Sequence, residues 1–200
     1  MAYPTVSAPY GLKPINRLDG MPYAGAVRHL KIASGYAANV FNGDLVQVVT
    51  GGTVEKFAGT TTGSPVGVFV GCSYTNPTTK QKTFSQYWPT GTVAADAVAY
   101  VVDDPNAVFK VAVTDNASAM SSAALAAIGA NMSLIQGTGD TDTGNSAVSV
   151  LAGSEGTANT LPIRVIDVVP ETAFESGGSI VYPELIVKIN LHQYNQATGV

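Results

Sequence analysis

The sequence predicts a mainly β protein, a compact sandwich or barrel with an extended N-terminal arm and one short helix. Short runs of alternating or β-branched residues recur along the chain, and Gly, Pro, Asn and Asp cluster between them. The breaks come roughly every 8–12 residues, as is typical of sandwiches and barrels. Hydrophobic residues make up 46% of the 200 residues, so the chain can bury a core of ordinary size.

The first 23 residues predict the arm, and residues 24–200 the β-rich body. Proline fixes φ and cannot donate a hydrogen bond to a sheet, so closely spaced prolines favour extended chain. We expect this segment to lie flat along another surface, and we prefer a neighbouring chain to its own body. The residues behind this prediction are Pro4, Pro9, Pro14 and Pro22, with Tyr3, Tyr10 and Tyr23 between them.

Strand and turn signals follow one another through the body. Gly51-Gly52 predicts a hairpin between strands at 45–49 and 53–57. Asp103-Asp104-Pro105-Asn106 predicts a turn between a pair of strands at 98–102 and 107–113. In the alternating run 82–88, Phe84 and Trp88 are predicted to pack inside. Further strands are predicted over 26–32, 66–74, 132–135, 147–151, 163–169 and 185–191.

One segment has a different pattern. Residues 118–128 are rich in Ala, which favours a short helix. Asn116 or Ser118 could cap its start and Gly129 could end it.

The charge balance argues against two classes of partner. Charged residues make up only 12% of the chain, and the formal net charge is −4. Without a basic cluster, nucleic-acid binding is not expected, and the apolar runs are too short to span a membrane. Low charge favours a surface buried against other proteins, although a secreted or surface β protein can have the same composition. No secretory signal is visible, which indicates synthesis and maturation in a reducing compartment.

The residues that usually perform catalysis are sparse, so we predict neither an enzyme, a cofactor nor a metal site. The two histidines, His29 and His192, have no evident third partner for a metal site and are interpreted as structural or surface residues. Cys72, the single cysteine, follows an apolar run and is predicted to be a small buried residue.

The segment Asp140-Thr141-Asp142-Thr143-Gly144-Asn145 has two interpretations. Spaced carboxylates beside a glycine can wrap a calcium ion. The full calcium loop needs a bidentate Glu soon afterwards, and no acid follows until Glu155. We therefore prefer the tip of a hairpin.

Several strings of sequence resemble one family of proteins. They are Ala8-Pro9-Tyr10-Gly11-Leu12-Lys13-Pro14, Pro22-Tyr23-Ala24-Gly25-Ala26, Ile32-Ala33-Ser34-Gly35-Tyr36, Phe41-Asn42-Gly43-Asp44-Leu45-Val46, residues 67–74, residues 99–105 and residues 186–194. In this order they are similar to small virion proteins of tailed phages, notably phages of aquatic bacteria and cyanobacteria. The family is that of capsid cement, or head decoration, proteins.

The resemblance implies a structural virion protein on the capsid exterior, made in the host cytoplasm. Such a protein binds the outer surface of the head and bridges neighbouring major capsid subunits. Self-association is expected, with a trimer favoured over a dimer. The capsid contacts that we predict are Tyr3, Pro9, Tyr10, Leu12 and Pro14 in the arm, and Tyr194 near the C-terminus.

Two other functions remain open at this stage. A tail-tube or head-completion subunit is also a small β protein. A carbohydrate-binding adhesive module would need exposed aromatic side chains on one face, for which Tyr87 and Trp88 are the compact candidate. We prefer to place that pair in packing.

Overall fold

A computed structural model of the chain describes residues 6–114, 125–172, 182–197 and 199, which form thirteen β-strands and two short 3-10 helices. The mainly β prediction is confirmed. The 3-10 helices are Pro170–Thr172 and Gln193–Asn195. The strands are β1 (Lys13–Arg17), β2 (Arg28–Ile32), β3 (Leu45–Val48), β4 (Thr53–Lys56), β5 (Gly67–Thr75), β6 (Lys82–Ser85), β7 (Val98–Val102), β8 (Ala107–Thr114), β9 (Asn131–Met132), β10 (Leu134–Ile135), β11 (Ser149–Leu151), β12 (Ile163–Val168) and β13 (Glu184–Ile189).

The first sheet is a nearly closed barrel. Its strand order is β3-β4-β2-β7-β5-β6, and β3 also pairs with β5, which completes a ring of five strands. Strand β6 lies outside the ring on the edge of β5. Gly67 makes the closure possible, because a Cβ there would lie 2.2 Å from the carbonyl oxygen of Val102. We call this sheet the barrel.

The second sheet is open and is organised around β8. Its order is β10-β11-β8-β13-β12-β9. On the edge of β8 away from β13, two short strands share the space. Strand β1 pairs antiparallel with its first half, with Lys13 opposite Lys110, and β11 pairs parallel with its last residues. Residues 13–17 of the predicted arm are therefore a strand of the body, so the body does not begin at residue 24.

Alternation along the barrel strands produces two cores. Val46, Phe69 and Val101 belong to the core inside the barrel. Their neighbours Leu45, Val68 and Val102 point the other way and pack with the open sheet. The same three strands thus serve both cores, which joins the barrel and the sheet over a broad apolar contact.

The turn at 103–106 occurs where it was predicted, with β7 and β8 on either side. The two strands lie in different sheets, so the turn passes the chain from the barrel to the open sheet and does not make a hairpin. The Gly51-Gly52 hairpin between β3 and β4 is confirmed, and both glycines have positive φ.

The two predicted packing residues of the 82–88 run have opposite environments. Trp88 is 0% exposed, and its indole N–H donates to the carbonyl of Tyr36. Phe84 is 74% exposed, so the prediction for it is wrong. Phe84 shares the outward side of the edge strand β6 with Lys82, and alternation alone does not tell which side is covered.

The helix predicted over 118–128 lies mostly outside the described residues. Its last part, from Leu125, forms turns and not an α-helix. Within the parts of the chain that the structure covers, no helix is long and apolar enough to cross a membrane.

Candidate interaction surface

Residues 11 and 12 cross the interior of the molecule. The Gly11 N–H donates to the carbonyl of Val148, and the Leu12 N–H donates to that of Gly43. Gly11 has φ +79°, and a Cβ there would lie 2.9 Å from the Cα of Gly43 and 2.7 Å from the Cβ of Ser146. Only glycine fits this conformation and this space. We call this contact, together with Asp44, the junction.

Asp44 supplies the charge of the junction and is fully buried. Its Oδ2 accepts from the Phe41 N–H at 2.9 Å and pairs with Lys56 Nζ at 3.0 Å. Its Oδ1 accepts from the Ser146 hydroxyl at 2.6 Å. A buried carboxylate is tolerated only when it is paired and hydrogen-bonded in this way.

Lys13 secures β1 to the loops beside the junction. Its Nζ donates to Asn42 Oδ1 at 2.9 Å and to Asn145 Oδ1 at 3.3 Å. Partial burial lowers the pKa of this ammonium group. Two of the strings that carry the family resemblance, 8–14 and 41–46, thus meet inside the molecule and hold its two sheets together.

The predicted contact residues of the arm fall into different settings. Leu12 is 0% exposed in the core between the sheets, so it cannot reach another chain. Pro9, Tyr10 and Pro14 are half-buried. Tyr3 lies outside the described residues.

Tyr10 is tied to the open sheet. Its hydroxyl donates to Glu184 Oε1 at 2.6 Å, and the Lys110 ammonium lies 5.6 Å from its ring centroid. Burial, followed by the nearby carboxylate of Glu184, strongly raises the pKa of the Tyr10 hydroxyl. Tyr10 therefore stabilises the chain's own sheet, and only part of its ring remains open to a partner.

Tyr194, the second predicted contact, belongs to an exposed surface around the 103–106 turn. Its hydroxyl donates to Asp103 Oδ2 at 2.9 Å. On the other side of the turn, the Leu18 N–H donates to the carbonyl of Asn106. Three exposed apolar side chains join Tyr194 here, and we call the four together the turn surface: Leu18, Met21, Val27 and Tyr194.

A groove of about 210 Å³ continues the turn surface onto the open sheet. Leu18 and Gly20 line it together with Val108 of β8 and Ile186 of β13. The rest of the lining comes from β1 and β12 and includes Ile15, Arg17, Ile166 and Asp167. An apolar groove of this size can take one or two large side chains of a partner.

The charges of the turn surface pair with each other. Arg17 contacts Asp104 at 3.0 Å and Asp19 at 3.3 Å, and Arg28 pairs with Asp103. Exposed pairs of this kind add little to stability. Because they are already neutralised, the apolar side chains between them can be covered without demanding charges from the partner.

Leu18, Met21 and Val27 were not singled out as contacts in the sequence. Leu18 and Met21 flank Asp19-Gly20, and Gly20 has φ +83°, as in a tight turn. Asp-Gly between apolar residues predicts such a turn, and turns lie at the protein surface, where flanking side chains can be exposed. This Asp-Gly pattern is the feature of the sequence from which the exposure of Leu18 and Met21 could have been predicted.

The residues considered for catalysis are separate from this surface, apart from His192. Burial raises the pKa of Cys72 to about 12, so its thiol is protonated and a poor nucleophile at neutral pH. His29 is exposed beside Tyr100 and His192 is buried. Among the residues that the structure describes, no three His, Cys, Asp or Glu side chains are grouped to hold a metal.

The loop at residues 140–145 has the form of a hairpin tip, which we preferred to a calcium loop, and its own hydrogen bonds close it. The Asp140 N–H donates to the carbonyl of Asn145. Its Oδ1 accepts from the Asp142 N–H at 2.8 Å and its Oδ2 from the Thr143 hydroxyl at 3.1 Å. These bonds lower the pKa of Asp140.

No protein-family model, curated protein or solved structure matches this chain. Its function must therefore be argued from its own residues. The most informative are the exposed apolar side chains of the turn surface, the groove beside them and the stiff body that carries both.

Proposed function

We propose that the chain is a structural virion protein that binds the outer surface of a phage head. There it bridges and stabilises neighbouring major capsid subunits. The observation that carries the proposal is the turn surface, where Leu18, Met21, Val27 and Tyr194 stand exposed beside an apolar groove. The family resemblance of the sequence supplies the identity of the partner.

The turn surface has the make-up of an interface core. Interface cores are more apolar than the rest of the surface, enriched in aromatic residues, Met and Arg, and depleted in charge. Here the two arginines, Arg17 and Arg28, are held by carboxylates of the chain itself. Each contact with a shell can be weak, because many copies on one particle raise the effective affinity.

A protein that braces a shell must transmit load without deforming. In this chain the barrel strands β3, β5 and β7 contribute side chains to both cores, so the barrel packs firmly on the open sheet. The junction pins the N-terminal segment across both, through Gly11 and Asp44. Close-packed interiors of this kind have low compressibility, which suits a brace.

Apart from Leu18 and Met21 of the turn surface, contact by the predicted arm falls mainly to the residues before Tyr10. Residues 10–17 are engaged in the chain's own fold, whereas Val6, Ser7 and Ala8 are exposed. Deleting residues 1–9 therefore tests the arm without removing β1 or Leu12. Weaker binding of the truncated protein to heads supports an arm contact, and unchanged binding assigns the contact to the turn surface alone.

The carbohydrate-binding alternative required Tyr87 and Trp88 to be exposed aromatic side chains on one face. Trp88 is buried, and the ring of Tyr87 stacks on Phe41 with centroids 5.4 Å apart. Trp88 therefore offers no open face to a sugar ring, and Tyr87 is half-buried with one face of its ring against Phe41.

The decisive experiment is co-sedimentation with purified phage heads that lack this protein. We expect the wild-type chain to sediment with heads and not with polysaccharide. The double variant Leu18→Ser, Met21→Ser should lose at least about tenfold in affinity, as for the loss of a hot spot. Val93→Ser is the matched control, since Val93 is an exposed apolar residue of the barrel outside the turn surface.

Two results would overturn the proposal. One is a wild-type protein that fails to bind heads while binding isolated tails, which would favour the tail-tube function. The other is equal loss of binding in the double variant and in the Val93 control, which would remove the turn surface from the contact. Analytical ultracentrifugation of the same samples tests whether the free protein is the expected trimer.

A further inference from the structure

The segment that follows β13 ties the open sheet to the barrel. After β13, residues 190–197 cross to the end of β3, and we call them the C-terminal clasp. The side-chain amide of Gln193 accepts from the Val48 N–H at 2.9 Å and donates to the Val48 carbonyl at 2.8 Å. Gln193 thus completes β3 as a neighbouring strand would, and its own N–H donates to the carbonyl of Pro65.

The clasp depends on a few side-chain anchors because its 3-10 helix has only three residues. Tyr194 is the outer anchor: its hydroxyl binds Asp103, and the Arg28 guanidinium lies 5.4 Å from its ring centroid. His192 is the inner anchor, with its ring 5.2 Å from that of Tyr194. A helix this short gains little from its own backbone bonds, so each anchor matters.

His192 can perform its role in only one protonation state. Its Nδ1 caps the 3-10 helix by accepting from the Tyr194 N–H at 3.2 Å. An acceptor Nδ1 means a neutral ring with its proton on Nε2. The side chain is 1% exposed, and Nε2 has no hydrogen-bond partner in the described part of the chain. A second proton would have to sit on Nδ1, where it would face the Tyr194 N–H.

We propose that the C-terminal clasp is an acid-operated latch, in which protonation of His192 releases residues 192–195 from β3 and from the 103–106 turn. The cap on Tyr194 is lost first, because Nδ1 changes from acceptor to donor. Release then frees Tyr194 from Asp103 and Gln193 from Val48. The latch does not depend on the proposed binding to a phage head, because it involves only residues of this chain.

The charged groups around His192 lie in the 103–106 turn and on strands β1 and β2. Asp103 and Asp104 follow β7, and together with nearby backbone groups of Val66 and Asp103 they favour the charged ring. Both carboxylates are already engaged, Asp103 by Arg28 of β2 and Asp104 by Arg17 of β1. Burial outweighs them and lowers the pKa of His192.

The direction of the pH effect follows from this lowered pKa. The released ring has an ordinary pKa of about 6.5. Between that value and the lower pKa of the closed state, the released form binds more protons than the closed form. The closed clasp is therefore most stable above about pH 6.5 and loses stability as the pH falls below it.

Amide hydrogen exchange followed by NMR tests the latch, with the Val48 N–H as the reporter. Between about pH 7.5 and about pH 5, we expect the protection factor of Val48 to fall at least about tenfold in the wild-type protein. Val187, in the centre of the open sheet, should keep its protection. The matched variant is His192→Asn, because asparagine can cap the helix but does not titrate. Its Val48 protection should not depend on pH.

Three outcomes would overturn the latch. They are pH-independent protection of Val48 in the wild type, the same loss in His192→Asn, or a parallel loss at Val187, which would indicate general unfolding. If His192→Asn does not fold, the imidazole titrations of the wild type decide the question. The latch requires the Tyr194 ring signals to move with the titration of His192 and not with that of His29.

Discussion

The junction and the turn surface are built from short loops of similar composition but treat their side chains in opposite ways. At the junction, Gly11 and Gly43 lie in backbone contact, and the charge of Asp44 is fully buried and paired. At the turn surface, Leu18 and Met21 stand in water beside exposed ion pairs. The residues of the junction stabilise the fold, whereas the turn surface leaves apolar side chains exposed to water.

The difference shows which sequence features report on folding and which on binding. The strings 8–14 and 41–46 carry the family resemblance and meet at the junction. Leu18, Met21 and Val27 lie outside all of the resembling strings, whereas Tyr194 is the last residue of the string 186–194. In the strings 8–14 and 41–46 the resembling residues therefore serve the fold, while the turn surface draws mostly on residues outside the strings.

The largest expected effect comes from closing the space at the junction. Gly11→Ala places a Cβ against backbone at 2.9 Å and forces a left-handed φ on alanine, so it should lower the free energy of unfolding by about 4 kcal/mol. Gly20→Ala is the matched control, since Gly20 has φ +83° but no atom within 4 Å of its Cβ position. It should cost about 1 kcal/mol. Urea unfolding measures both, and equal costs would show that the contact with Gly43 is not tight.

Removing the buried charge should have the next largest effect. Asp44→Asn cannot satisfy Lys56 Nζ, the Phe41 N–H and the Ser146 hydroxyl together, so we expect a loss of about 3 kcal/mol. Glu55→Gln in β4, the strand that carries Lys56, is the control, since Glu55 forms no ion pair within the described residues. If thermal and urea unfolding place both variants at wild-type stability, Asp44 does not hold the junction.

A smaller effect is expected where the N-terminal segment leaves the junction. Tyr10→Phe removes one hydrogen bond to Glu184, which keeps Lys110, so the cost should be about 1 kcal/mol. Tyr100→Phe is the comparison, because the Tyr100 hydroxyl makes no hydrogen bond within the described part of the chain. If urea unfolding shows a larger loss of stability for Tyr10→Phe than for Tyr100→Phe, Tyr10 belongs to the chain's own fold. The part of the predicted arm that is free to contact a partner then ends before Tyr10.

The smallest effect on stability is expected at the turn surface. Leu18→Ser with Met21→Ser removes exposed side chains, so the free energy of unfolding should change by less than about 0.5 kcal/mol. A larger loss in urea unfolding, beyond that of Val93→Ser, would mean that these side chains support the body. The contrast between a surface needed for contact and a junction needed for folding would then disappear.

Local features of the fold were predictable, while the pairing between distant strands was not. Gly51-Gly52 and Asp103–Asn106 marked turns because their conformations depend on neighbouring residues alone. The partner of β1 is β8, about ninety residues later in the chain. Pro14 lies in β1, so the extended chain that prolines favour is present from Lys13, but no neighbouring residue indicated that this chain adds to the body's own sheet.

The interaction residues were harder to predict for a related reason. Alternation in the 82–88 run identifies two faces but not which one another element covers, so Phe84 and Trp88 looked alike. Tyr194 was proposed from the resemblance and is exposed, whereas Leu12 was proposed on the same basis and is fully buried. Exposure depends on tertiary packing, which the local pattern of residues does not contain.

The position of β8 has a consequence for synthesis on the ribosome. Its neighbours are β1, which precedes it by about ninety residues, and β13, which follows it by about seventy. The barrel is complete once residue 102 is available, so it can fold before β13 has been translated. The open sheet must wait for β13, and until then the nascent chain exposes the apolar side chains of β8. A ribosome stalled before residue 184 would therefore carry a folded barrel joined to an incomplete open sheet with exposed apolar side chains.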